Sequence, residues 1–223
     1  MLRGTHVQTL LILLVIAAVL AILWLAWKAE QKRRAAFAAW AAARGFTYAH
    51  QSDPAVRGIY GFLDRLQVGH SRKGYHVLRG AWEGRPAAAF QFQYTVGSGK
   101  HQQTHHVGVA LLHLERAFPE LLISPESVLH RLGEFFGFDD IDFESIEFSK
   151  AFQVRCRDKK FAYDFCHTGM MEYLLARPDA CFEQENGVLA LLTDGHLKAE
   201  RLDGMFQSLH GVRCKMPEYL FQA

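Results

Sequence analysis

Eighteen consecutive apolar residues, Leu10 to Trp27, constrain this 223-residue chain more than any other feature. Extended back to Val7, the stretch covers 21 residues and carries only Gln8 and Thr9 as polar interruptions. As a helix it would be roughly 31 Å long, the thickness of a bilayer's hydrocarbon core. A core helix of a soluble domain would keep a polar face, and this run has none. A cleaved signal is the closer rival, with alanines at 35–43 mimicking a processing site. Signal cores are shorter, however, and Lys28, Lys32, Arg33 and Arg34 stand between core and alanines. The expectation is a retained anchor.

The flanks predict its direction. Before the run there is Arg3 and the terminal amine; after it come Lys28, Lys32, Arg33 and Arg34 against a lone Glu30. Lys and Arg collect on cytoplasmic flanks, which puts the N-terminus outside and the large domain in the cytoplasm, at the inner membrane as a single-pass protein. Trp24 and Trp27 suit the inner interface, and the basic quartet faces anionic lipid there. Those six residues are the expected membrane-interface set. Cys156, Cys166, Cys181 and Cys214 form no C-x-x-C pair, in keeping with a reducing compartment.

No Pro or Gly interrupts Val7 to Arg44, and Gly45 is a natural stop, so one helix should run from the membrane into a stalk. Phe37, Trp40, Ala41 and Arg44 share a face of it, available to pack on the chain's own domain. Residues 1–45 thus read as anchor and stalk, and 46–223 as one domain. In that domain a strand is expected over Phe46–His50 and helical spacing over 55–68. Strands follow at Tyr75–Trp82 and Ala87–Val96 around a Glu83-Gly84-Arg85 turn, then at His105–Leu114 and Leu121–Ser124. A helix is expected over 126–136, a strand over Ser145–Cys156 and a helix over Lys159–Ala176. A hairpin over 181–193, turned by Asn186-Gly187, and a helix over Leu197–Val212 complete the list. This order predicts an α+β fold, one N-terminal transmembrane helix followed by a mainly antiparallel sheet with packed helices.

Composition excludes disorder, a disulfide scaffold and a multi-span transporter. Residues 45–114 hold seven Lys or Arg and three acids, while residues 115–223 hold 12 and 19, so the domain lacks the positive excess of a nucleic-acid binder.

Glu147-Phe148-Ser149 is followed by Phe152-x-Val154, Asp158 and Ala162, then by Met170-Met171-x-x-Leu174-Leu175. Together with Gly45-Phe46 and an Arg79-Gly80 step before a pair ending in aromatic-x-Tyr94, this pattern resembles a family of uncharacterised bacterial membrane-anchored proteins, a domain of unknown function. The resemblance implies a prokaryotic protein with an amino-terminal span and a β-rich core, and it supplies no catalytic residues.

Asp140, Asp142 and Glu144 would line one face of an extended segment and are the candidate ligands for a hard cation, among the neighbouring acids Asp139 and Glu147. Counted from Asp140, however, Ser145 and Ala151 occupy the positions where an EF-hand needs Gly and Glu. A solvated strand face with Ile141 and Phe143 turned inward is the plainer reading. His101, His105 and His106 suggest zinc, but adjacent strand residues point to opposite faces. Cys166 and His167 sit about 100° apart on a helix, which separates thiol from base. Gly97-Ser98-Gly99-Lys100 matches neither a phosphate loop nor a nucleophile elbow. Arg155, Arg157, Lys159 and Lys160 read as a wet strand–helix corner. No catalytic residue or cofactor is therefore expected. The sequence favours a non-enzymatic interaction or scaffold domain, with the lipid bilayer and another membrane or cytoplasmic protein as partners. A membrane-tethered metal-assisted hydrolase is the alternative.

Overall fold

The computed structural model describes residues 2–125 and 141–222, with side chains from Leu11 onward. The expected helix over 126–136 and the candidate ligand Asp140 lie outside the described residues.

Helix α1 runs without a break from Leu2 to Arg44. Its end follows from Gly45, whose φ of 70° is the left-handed value that glycine takes without a Cβ penalty. The Phe46 N–H then donates to the Ala41 carbonyl at 2.9 Å, closing the last turn. Leu11 to Leu25 expose their large apolar side chains, and the helix is long and apolar enough to cross a membrane. Farther along the same helix the surface changes. Phe37 and Ala41 are buried in one apolar cluster with the sheet, and Trp40 packs against it, as their shared face predicts.

Eight strands form one antiparallel sheet: β1 (Thr47–Ala49), β2 (His70–Trp82), β3 (Arg85–Val96), β4 (Gln103–His113), β5 (Leu121–Pro125), β6 (Phe152–Cys156), β7 (Cys181–Glu185) and β8 (Val188–Asp194). Their spatial order is β1-β2-β3-β4-β8-β7-β5-β6. The fold is α+β, as the element order implied. Two of its turns follow from local chemistry. Glu83 and Gly84 join β2 to β3, and Asn186 and Gly187 join β7 to β8; all four residues have positive φ, as a type I′ hairpin requires.

Strand alternation sorts the core into two layers. From β3 and β4, Ala88, Phe90, Phe92, Val107, Val109 and Leu111 face one side. There α2 (Ala55–Tyr60) and a 3-10 turn (Asp64–Leu66) cover them with Val56, Tyr60, Leu63 and Leu66. Ala87, Ala89, Ala110 and Leu112 face the other side, under the stalk and the later helices. These are α3 (Ile146–Ala151), α4 (Lys159–Phe165), α5 (Thr168–Leu175) and α6 (Leu202–Lys215). Burying both faces is what makes β3 and β4 nearly continuous in apolar residues.

Three sequence expectations need correction. Residues 146–151 are helix, not strand: the Ser145 hydroxyl caps them by accepting from Phe148 N at 3.2 Å, and the extended strand begins only at Phe152. The single helix expected over 159–176 is two. Cys166 leaves helical geometry at φ −86°, ψ 43°, and His167 is extended, so α5 starts afresh at Thr168. The last helix begins at Leu202, after a 3-10 turn at Ala199–Arg201, so Leu197 belongs to the preceding loop.

Candidate membrane-facing site

The apolar run ends at Trp27, and contact with the domain begins one turn later. Arg33 donates from Nη2 to Gln91 Oε1 at 2.9 Å and to the Leu197 carbonyl at 3.3 Å. Gln91, fully buried on β3, also accepts from Leu197 N at 2.6 Å through Oε1. Its Nε2 donates to the carbonyls of Val107 at 3.0 Å and Gly195 at 3.3 Å. One side chain thus pins stalk, sheet and the 195–197 loop together.

Beside it, Glu30 accepts from Arg34 Nε at 2.8 Å and stands 3.4 Å from His76 Nε2. His76 occupies an irregular stretch of β2, with a φ of 52° and a register shift between Tyr75 and Leu78. That irregularity aims the imidazole into the interface, as a bulge can. The Tyr48 hydroxyl and His76 Nδ1 are 2.7 Å apart. Burial pushes the Tyr48 phenol up to about 12, and the Glu30 charge adds to the effect, so Tyr48 keeps its proton within the hydrogen bond it shares with Nδ1. Burial, with Arg33 adding to it, holds His76 down to about 4. For Glu30, burial opposes ionisation, but the Arg34 hydrogen bond and the charges of His76, Arg34 and Arg33 outweigh it and lower its value. A second imidazole pair lies alongside: His106 and His196 stack with centroids 4.1 Å apart, and His106 Nδ1 is 3.1 Å from the Tyr75 hydroxyl.

The sign of the His76 shift gives a pH prediction. Its folded value lies below that of a free imidazole, so its contribution is complete above pH 6.5 and is lost as pH falls from there toward 4. The loss is on the order of 2–3 kcal/mol. Asp64 and Glu183 on the opposite face have the reverse sign: burial raises them to about 7 and about 8, so they disfavour the fold as pH rises. The measurement is therefore a difference. Denaturant unfolding of His76→Gln against the parent between pH 7 and 4 should show the variant with the shallower decline; parallel curves would refute the assignment.

Between α1 and the 196–200 loop lies a groove of about 500 Å³. Ala26, Ala29, Arg33 and Ala36 form its helix wall, with Glu30 and Lys32 beside them; the opposite wall is His196, Leu197, Lys198, Ala199 and Glu200. Spacings of three and four put Ala26, Ala29, Arg33 and Ala36 on one helix face. The alanines are too small to fill the gap to a loop that Gln91 and Arg33 hold in place.

The expected interface residues divide. Trp24 and Trp27 are exposed, and Lys28 lies 4.9 Å over the Trp24 ring. Lys32 borders the groove, Arg33 turns inward to bind Gln91, and the part-exposed Arg34 pairs with Glu30 one turn back on the same helix. Trp40 is also engaged, donating from Nε1 to Asp203 Oδ1 at 2.9 Å. Of the cation candidates, Asp142 and Glu144 are exposed on either side of the half-buried Phe143, with Ile141 buried. Among the described residues no group of three or more His, Cys, Asp and Glu is placed to hold a metal ion. His105 stacks on Tyr94 at 5.3 Å while His106 meets His196, so the two adjacent histidines have separate surroundings. Cys166 is buried, which drives its thiol upward, and His167 Nε2 lies 2.9 Å from the Lys215 carbonyl. Arg157 pairs with Glu120 at 3.1 Å, and Asp158 caps α4 by accepting from Phe161 N at 3.1 Å.

No family model matches the chain and no curated protein matches it, in keeping with a resemblance carried by scattered structural motifs. Among solved structures, the fold is similar to that of the mycobacterial trehalose monomycolate transport factor A. The TM-score is 0.58 at 12% sequence identity, over 83% of this chain and 95% of that one.

Proposed function

We propose that this chain is a single-pass membrane protein whose α+β domain is a non-enzymatic interaction or scaffold module, held against the cytoplasmic face of the inner membrane. The observation that carries the reading is the absence of slack between span and domain. Glu30 and Arg33 already contact the sheet three and six residues after Trp27, so a bilayer around the apolar run has the domain at its surface. Residues 1–45 serve as anchor and stalk and residues 46–223 as the domain, with the stalk's Phe37 and Ala41 completing the domain's core. Lys28 and Lys32 supply the cytoplasmic-side charge. Similarity in fold to a protein described as a transport factor supports a role in transport at the membrane, with the bilayer and a further membrane or cytoplasmic protein as partners.

The test is topological. A C-terminal fluorescent-protein fusion should be bright, a C-terminal alkaline phosphatase fusion inactive, and the chain should resist alkaline carbonate extraction. An active phosphatase would reverse the orientation, and release by carbonate would remove the anchor. Affinity capture of the intact, detergent-solubilised chain, with Ala29→Trp as the surface control, then reports on protein partners.

A further inference from the structure

The groove beside the stalk has the size of a small-molecule site and mostly apolar walls. Its place in the chain is more telling than its size. Ala26 lies inside the apolar run, and Ala29 and Ala36 continue the same face onto the domain, so one wall passes from the hydrocarbon-matched segment to the docked stalk. The rim is charged. Arg33 is committed to Gln91 and the Leu197 carbonyl, and Glu30 to Arg34. Lys32, Lys198 and Glu200 remain, and among the described residues neither lysine's ammonium group has a hydrogen-bond or ion-pair partner. Two ammonium groups against one carboxylate leave the rim net positive, so an occupant that combines an anion with hydrocarbon matches both the rim and the apolar wall.

We propose that this groove binds one anionic phospholipid of the surrounding leaflet. Its phosphate lies between Lys32 and Lys198, and the first acyl carbons run along Ala26, Ala29 and Leu197. This rests on the membrane reading above and names the lipid partner of that surface. A freely soluble anion leaves the alanine wall without a role, and a zwitterionic lipid, although it carries the same phosphate, brings a choline cation against the two lysines, which an anionic headgroup does not. The loop wall is pre-positioned through Gln91, so binding orders little protein.

The experiment uses the full-length chain in detergent, incubated with phosphatidylglycerol or phosphatidylcholine and examined by native mass spectrometry. One phosphatidylglycerol should be retained per chain in preference to phosphatidylcholine. Lys32→Gln and Lys198→Gln should each reduce that retention about fivefold, the effect of one surface cation on an anionic lipid. Ala29→Trp should abolish it by filling the groove. Equal retention of the two lipids, or undiminished retention in all three variants, would overturn the proposal. Flotation of the parent chain with vesicles separates the two levels of the argument. A chain that floats without headgroup preference loses only the groove proposal; one that fails to float loses the membrane reading and the groove together.

Discussion

Replacing Phe37 by Ala should lower the stability of the domain by about 3–5 kcal/mol, although the residue lies outside the sheet and on the stalk. Phe37 is fully buried, stacked 5.2 Å from the His76 ring and 5.8 Å from Tyr48. Truncation leaves an aromatic-sized void between helix and sheet, and it uncovers the polar chain that links Tyr48, His76 and Glu30. Denaturant unfolding of the detergent-solubilised chain checks this, with Phe37→Leu as a volume-closer control that should lose far less. A loss below about 1 kcal/mol would mean that the stalk rests loosely on the domain. By the same logic a fragment beginning at Phe46 should be poorly soluble. It would expose Phe46 and Phe206, whose ring centroids lie 5.0 and 5.8 Å from that of Trp40, and Trp82, over which the Arg44 guanidinium lies at 5.6 Å.

Gln91→Leu is the second large expected effect. The substitution keeps roughly the size of the side chain but removes its entire hydrogen-bonding capacity from a fully buried position. The buried Leu197 N–H loses its acceptor and the carbonyls of Val107 and Gly195 lose a donor, each at about 1–3 kcal/mol where water cannot substitute. Arg33 loses its carboxamide partner at the same time. The expected total is about 2–4 kcal/mol, since solvent can reach part of the loop after it detaches. Hydrogen exchange gives the specific signature: the Leu197 amide should exchange much faster while the β3–β4 ladder stays protected. Gln91→Glu should be milder at this amide, because its carboxylate still accepts from Leu197 and attracts Arg33. Uniformly faster exchange across the sheet would instead mark Gln91 as an ordinary core position.

Much of this architecture can be read from local signals. In β3 the alternation of Phe90, Phe92 and Tyr94 with Gln91, Gln93 and Thr95 fixes which residues face which layer, and Asn186-Gly187 fixes a hairpin. Gly45 fixes the end of a 43-residue helix. The misread segment at 146–151 shows the limit of periodicity. Phe148 and Phe152 are four apart, a spacing that fits both a helix turn and every second strand position, so only the Ser145 cap distinguishes them. The site was less legible. Gln91 stands among the polar residues of an alternating strand, and nothing local says that a stalk and a loop will cover it. His76 meets Glu30 only because β2 bulges and because a helix 46 positions earlier lies across it. The basic quartet is legible as a membrane flank and Glu30–Arg34 as a pair one helix turn apart, but the turn of Arg33 onto buried Gln91 depends on tertiary packing.

The unbroken helix has a mechanical consequence. With no Pro or Gly from Val7 to Arg44, and with Phe37, Trp40 and Arg33 clamping its lower half, there is no hinge at which the globular body could swivel. Rod and body form a single lever. A partner that gripped the body would have to tilt or turn the rod with it, and under the membrane reading proposed above a neighbour binding the rod would dictate the angle at which the body meets everything else.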